Sequence, residues 1–238
     1  MIQKEYGLPQ EALKLIACIS MLIDHFGAAI VPHLNSPWFV EWYYICRIIG
    51  RLAFPIYCFL LVEGMRRTRD PKKYFLRLGC GILLSELPFD MALFGGFTWE
   101  FQNVMITLLL GAVMIYCMQK TEKDLLKPIL VIPFAVAAEL LSSDYGAWGI
   151  AMIAIFALMD KLWLQVLCMT VMNGMIPSLN LPVFGWNVSI QVFAALAMVP
   201  IAFYSGRKLT RSRAIQWGLY LFYPVHLLIL WMILLFIY

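Results

Sequence analysis

Apolar residues occur along this chain in long blocks, not in the alternation of a half-buried strand or the stripe of an amphipathic helix. Nine blocks stand out, at about 12–33, 41–65, 74–95, 103–118, 128–141, 146–160, 162–176, 188–204 and 215–237. Such blocks predict transmembrane helices, because about 17–25 residues cross the hydrocarbon and every backbone polar group there must be paired within its own segment. The fifth, sixth and seventh blocks are short by that standard. They read either as thin spans shielded by neighbours or as partly re-entrant segments. The expected fold class is all-α: one polytopic helical bundle over residues 1–238, with about nine spans and a range of eight to ten. Pro55, Pro88, Pro133, Pro200 and Pro224 fall within the blocks. Each removes a helix hydrogen bond, so kinks or local unwinding are expected there.

Charge orients the bundle. Lys4, Lys14, Arg66, Arg67, Arg69, Lys72, Lys73, Arg77, Lys120, Lys123, Lys127, Lys161, Arg207, Lys208, Arg211 and Arg213 fall on one side of a nine-span arrangement, sixteen of the eighteen cations. The opposite loops carry Glu41, Glu100 and Asp144 and no Lys or Arg. Positive loops stay in the cytoplasm, so the amino terminus is expected inside and the carboxyl terminus outside. Composition agrees: 63% of residues are apolar and 13% charged, more apolar surface than a soluble domain of this length can hide. The net charge of +4 points to topology and not to nucleic acid, which is not an expected partner. Six cysteines lie singly in apolar runs without CxxC or Cys/His spacing, so neither a metal site nor a disulfide framework is expected. The first block holds Asp24 and His25 and lacks a small-residue cleavage site, which argues against a cleaved signal peptide.

The two remaining cations, Arg47 and Arg51, lie inside the second block. Ionisable groups in hydrocarbon are costly and generally face a cavity or a partner, which makes them candidates for function. Arg47 and Arg51 are four apart and so share a helix face, with Gly50 allowing a close neighbour. Glu86 and Asp90, also four apart, sit in the third block around Pro88. Two cations on one helix and two anions on the next invite pairing. They read either as an internal ion-pair network or as a site where arginine binds an anion or a developing oxyanion. Asp24-His25 in the first block places a proton acceptor beside a carboxylate that can orient it. His226, near the middle of the last block, is a weaker candidate that could meet that histidine. Asn103, Thr107, Glu139, Asn173 and Gln191 read as packing hydrogen bonds.

The loops add a signal of their own. RRTRDPKKYFLR holds six cations in twelve residues (Arg66, Arg67, Arg69, Lys72, Lys73 and Arg77), and GRKLTRSR holds four in eight. Such runs determine topology or touch anionic lipid, and they also suit a nucleotide with several phosphates.

Together LKLIACISMLIDHFGAAI, RIIGRLAFPIYCFLLVEGMRRTRDPKKYFLRLG, SELPFD, NVMITLLLG and YLFYPVHLLIL resemble the TraX family, colinearly, most strongly in residues 13–111 and 217–230. TraX-like proteins are named for an inner-membrane conjugation protein that acetylates the amino terminus of pilin, and they more distantly resemble the wider transmembrane acyltransferases. The resemblance carries the family's motif positions onto Asp24, His25, Arg47, Gly50, Arg51, Glu86, Pro88, Asn103, Tyr223 and His226. A family stretch like YNGKRG before the last helix is YSGRKL here. The resemblance implies a bacterial inner-membrane enzyme that passes acetyl from cytoplasmic acetyl-CoA to a peptide, lipid or sugar acceptor, with no metal. On that reading His25 is the general base and Asp24 or another carboxylate sets its tautomer. Arg47 and Arg51 polarise the thioester or hold the pantetheine arm, and Glu86 and Asp90 anchor them or receive a cationic amine. The basic loops hold the nucleotide end of CoA. The rival class is a proton-coupled transporter or a structural membrane subunit. The oligomeric state stays open.

Overall fold

The computed structural model describes residues 6–34, 36–176, 179–183, 186–210 and 212–237. Lys4 and Arg211 of the topology argument lie outside the described residues. Helices dominate: α1 (Gln10–Ala29), α2 (Phe39–Gly50), α3 (Ala53–Arg67), α4 (Pro71–Phe94), α5 (Val104–Lys120), α6 (Val131–Leu140), α7 (Gly146–Leu158), α8 (Leu162–Met175), α9 (Met198–Ala202) and α10 (Arg213–Ile237). Local chemistry sets several boundaries. Asp70 caps α4 by accepting from the Lys73 amide, with Pro71 at the first helical position. That amide bond also holds the exposed Asp70 carboxyl below its usual range. Asn103 caps α5 through its side chain and the Met105 amide, and Gly95 ends α4 in the left-handed conformation.

Three stretches are long and apolar enough to cross a bilayer by length and composition: Gln10–His33, Phe39–Arg67 and Ala214–Ile237. The others are shorter or more charged. α6 has ten residues, so it rises only about 15 Å.

The chain departs from the expected uniform helices in two places. The block at 41–65 is not one helix: it breaks at Arg51-Leu52, between α2 and α3, because Pro55 has no N–H to offer the carbonyl four residues back. By contrast Pro88 and Pro224 lie inside continuous helices. The block at 188–204 begins in an antiparallel hairpin, β1 (Asn180–Val183) with β2 (Trp186–Ser189), then continues as a 3₁₀ segment, Ile190–Ala197, before α9. Val188 at its start and Trp186 just before it favour a strand, and the pairing strand is supplied by the preceding loop.

α1 packs against α2, α3 and α10, α10 lies along α4, and α3 contacts α5 and α7. The core around α3 is mostly apolar, with Ile56, Cys58, Met65, Met114, Ile150, Met152 and Met169 buried. The outer surface is apolar as well: Leu83, Ile132, Leu140, Val171, Val199 and Phe236 are all exposed. A surface of this kind suits lipid and not water.

The connections gather into two sets. At one end the Gln10 amide donates to the Arg207 carbonyl, the Leu209 amide to Glu11, Arg67 to the Gly206 carbonyl and Gln119 to the Met65 carbonyl. At the other end Gln102 exchanges backbone bonds with Ser142 and Asp144, and the Tyr44 hydroxyl donates to the Asn180 carbonyl.

Candidate functional site

The packing of α1 against α2 builds the polar centre. Gly50 of α2 lies against Asp24 of α1, and Gly27 of α1 lies against Cys46 of α2. Glycine at both contacts brings the backbones close enough for Asp24 to reach two turns of the neighbouring helix. Its carboxylate accepts from Arg47 Nη1 at 2.8 Å and from Arg51 Nη2 at 3.0 Å. Arg51 also donates to Gln191 Oε1 at 3.2 Å and, through Nε, to the Arg47 carbonyl. That carbonyl lies in the last turn of α2, beside the break.

This overturns two expectations. The arginines pair with Asp24 and not with Glu86 and Asp90. Asp24 is engaged by guanidinium groups, and the recorded partner of the His25 ring is a second histidine. The reason is packing: α1, not α4, lies on the arginine face of α2. Two carboxyl groups face the two guanidinium groups: Asp24, which accepts from both, and Asp144, which lies within their electrostatic reach. Among the described residues Arg47 Nε is buried with no hydrogen-bond partner. An unpaired donor on a buried cation is where an anionic or carbonyl oxygen would be stabilised.

His25 Nδ1 lies 2.7 Å from His226 Nε2, and His226 Nδ1 lies 2.7 Å from the Phe222 carbonyl. A carbonyl only accepts, so His226 carries its proton on Nδ1. Its Nε2 is then the acceptor, and His25 must donate from Nδ1. This assignment, made from the hydrogen-bond network, leaves His25 Nε2 bare, the form a proton acceptor requires. The rings stack with centroids 5.0 Å apart. Tyr223, one residue past the Phe222 carbonyl, is buried with its ring 6.1 Å from His25.

Glu86 and Asp90 do separate work. Glu86 receives the Asn103 amide side chain, which also donates to the Ile82 carbonyl and ties α4 to the start of α5. Asp90 is fully buried and accepts from the Thr98 amide. One oxygen on each, Glu86 Oε1 and Asp90 Oδ1, is buried and unpaired among the described residues.

The basic loop lies at the opposite end of α3. There Glu63 is buried between Arg66 and Arg67, with its Oε2 2.7 Å from Arg67 Nη2. Arg66 also donates to the Phe156 and Ala157 carbonyls and approaches Asp160. These side chains line a cavity of about 630 Å³ with Phe59, Met159 and Gln165. Lys73 pairs with Asp70, and Arg77 lies over the Tyr74 ring at 5.3 Å. Arg69 and Lys72 stand on the same connection. Asp160, Gln165, Ser143 and Tyr145 were not singled out by sequence. They are ordinary polar residues near loop ends, and only folding gives them neighbours.

Near the polar centre the Thr107 hydroxyl donates to the Asp144 carbonyl and lies 3.0 Å from Ser143 Oγ. Burial pushes the Asp144 carboxyl up to about 6, against the pull of Arg51. Burial likewise raises the Tyr145 hydroxyl to about 12, which keeps it neutral.

Comparison with known proteins places these residues in context. The TraX protein family model matches residues 9–234. A probable fimbrial assembly protein of Dichelobacter nodosus, FimC of serogroup H1, is 28% identical over 242 residues, covering 92% of each chain. An uncharacterised protein of Rickettsia prowazekii is 33% identical over 107 residues, 45% of this chain and 36% of its own. No solved structure matches.

Proposed function

The chain belongs to the TraX family, and on that premise we propose that it is a membrane-embedded acetyltransferase serving pilus or fimbria assembly. It moves acetyl from cytoplasmic acetyl-CoA to an amine, such as a peptide amino terminus, or to a hydroxyl at or across the bacterial inner membrane. The observation that carries the reading is the His25–His226 pair, which leaves His25 with a bare Nε2 one residue along α1 from Asp24, the carboxylate that holds Arg47 and Arg51.

In the proposed step His25 Nε2 takes the proton of the acceptor as its nitrogen or oxygen attacks the thioester carbonyl. His226 accepts from His25 Nδ1, holds the ring in the competent tautomer and steadies the positive charge that arrives. Arg47 Nε–H, with Arg51 held behind it by Asp24 and Gln191, stabilises the oxyanion. The carbon–sulfur bond then breaks, and His25 returns its proton to the departing thiolate. The acceptor gains acetyl, and the donor leaves as free CoA.

The cavity at Arg66 and Arg67 is the proposed seat for the phosphates of CoA, with Arg69, Lys72, Lys73 and Arg77 at its approach. The two sites are separated by the length of α3, whose fifteen residues span about 22 Å. The pantetheine arm would bridge that distance. Nine crossings with a cytoplasmic amino terminus remain the topology proposed. The two sets of connections support it, because the basic loops gather at one end.

Incubation of the purified protein with radiolabelled acetyl-CoA and a peptide with a free amino terminus tests the reading. Label is expected on the peptide amine. No transfer to peptide, lipid or sugar acceptors, together with uptake of solute driven by a proton gradient, would replace the enzyme with a transporter.

A further inference from the structure

The basic run GRKLTRSR begins in the connection between α9 and α10. The start of the chain straps this connection down, through a parallel bridge between Leu8 and Tyr204. The Leu8 amide donates to the Phe203 carbonyl at 2.7 Å, the Ser205 amide to the Leu8 carbonyl at 2.9 Å and the Gln10 amide to the Arg207 carbonyl at 2.9 Å. Ser205 Oγ also donates to the Leu8 carbonyl, and Glu11 accepts from the Leu209 amide at 2.9 Å. Tyr204 and Ser205 are buried by this strap, while Arg207 and Lys208 stay exposed.

Arg67 meets the same loop. Its Nη1 donates to the Gly206 carbonyl at 2.8 Å, and its Nη2 donates to Glu63 Oε2 at 2.7 Å. Gly206 has φ 74°, the left-handed region that favours glycine, and a Cβ there would stand 3.0 Å from Arg67 Nη2. Glycine therefore lets the guanidinium close on the carbonyl. Two of the five guanidinium N–H groups are occupied in this way, and the other three have no recorded partner among the described residues. Arg67 lines the cavity of about 630 Å³, and Phe59 in the same wall meets the Tyr204 ring edge-on, with centroids 5.1 Å apart. Arg66 is tied to the end of α7 through the Phe156 and Ala157 carbonyls. Among the described residues Arg207 and Lys208 have no recorded ion pair. A guanidinium fixed on two sides, with donors to spare and two unpaired cations on the loop it grips, is pre-organised for phosphate oxygens.

We propose that loop 204–210 is the phosphate clamp of this cavity. Arg67 is its fork, Arg207 and Lys208 stand at its rim, and Glu11 is a positioning residue that acts through the loop. The proposal rests on the reading of the cavity as the CoA seat and deepens it, because it gives the second basic run and the amino-terminal strap their part in holding the nucleotide. A lipid headgroup offers the same phosphate chemistry, and the test separates the two.

Binding is measured on the full chain in neutral detergent with CoA, with adenosine diphosphate and with pantetheine, which carries no phosphate. CoA and the diphosphate should bind, and pantetheine about tenfold more weakly than CoA. Glu11→Ala frees the Leu209 amide and should weaken CoA binding roughly two- to tenfold, the worth of one hydrogen bond, with pantetheine unchanged. Loss of a negative charge near phosphate would by itself tighten binding, so weakening reports the strap and not the charge. Glu11→Gln, whose amide oxygen still accepts from Leu209, should bind CoA at least as well as wild type. Arg67→Ala should lose more than Glu11→Ala. Equal affinity of the wild-type protein for CoA and pantetheine would overturn the proposal, and so would an unchanged CoA Kd in Arg67→Ala or in Glu11→Ala. Release of phosphatidylglycerol from mixed micelles by Arg67→Ala, with CoA still bound, would make the loop a lipid contact and overturn it too. If the expected Kd pattern is found and no acetyl group is transferred, the enzymatic reading fails and the clamp stands.

Discussion

Replacing Gly50 by alanine tests the helix contact on which the polar centre depends. A Cβ at that position falls closer than 3.0 Å to Oδ1, Cβ and Cγ of Asp24. Those atoms are not a free side-chain tip, since Arg47 and Arg51 hold the carboxylate. Relief has two routes. α1 and α2 move apart, an overpacking cost of about 1–3 kcal/mol. Or Asp24 swings away and leaves two buried guanidinium groups uncompensated, about 3–5 kcal/mol. The cheaper route sets the expected loss, which corresponds to a fall in Tm of roughly 2–12 °C for a chain of this size. Either route shifts Arg47 from its place, so acetyl transfer should fall far more than stability. Gly79→Ala is the control: its Cβ meets nothing within 4 Å, so the helix should gain about 0.5–1 kcal/mol or stay unchanged. Thermal melting in detergent and labelled acetyl transfer read both variants. A Gly50→Ala protein that melts and turns over like wild type would mean that α1 and α2 do not meet through this contact, and the arrangement of Asp24 with the arginines would fall with it.

Other outcomes follow from the same geometry. His25→Ala should cut acetyl transfer by about 10²–10⁴-fold with the melting curve little changed. His226→Gln, whose amide oxygen still accepts from His25, should lose much less than His226→Ala; equal losses would remove the tautomer argument. Arg47→Lys should behave as a loss and not a conservative change, because an ammonium cannot reach Asp24 and present the Nε donor together; wild-type turnover would reduce Arg47 to packing. Asp144 gives a pH signature. Its carboxyl is raised by burial from 3.8 to about 6, so the folded state holds the proton more tightly than the unfolded chain. Its stabilising contribution is therefore complete below about pH 4 and disappears as pH rises through 6. Tm should fall over that window in wild type and fall less in Asp144→Asn. Arg51, Arg47 and Asp24 face the same group and move its midpoint without reversing the sign.

Much of this protein is legible in one dimension because hydrophobic length and charge asymmetry are properties of local composition. The apolar blocks, the helical class, the sorted cations and the family resemblance all come from stretches of a few tens of residues. So do the candidates: histidines and arginines in hydrocarbon are conspicuous wherever they point. Which charges pair is another matter. Arg47 and Arg51 meet Asp24 because two glycines let α1 close on α2, while Glu86 turns to Asn103 and Asp90 to the Thr98 amide. Gln191 reaches Arg51 from 140 residues away, and Glu139 reaches the Ala147 amide across a turn whose strained residues no composition announces. Buried charges take the nearest satisfactory partner in space, and in a bundle that distance is set by how closely helices approach and not by their order along the chain.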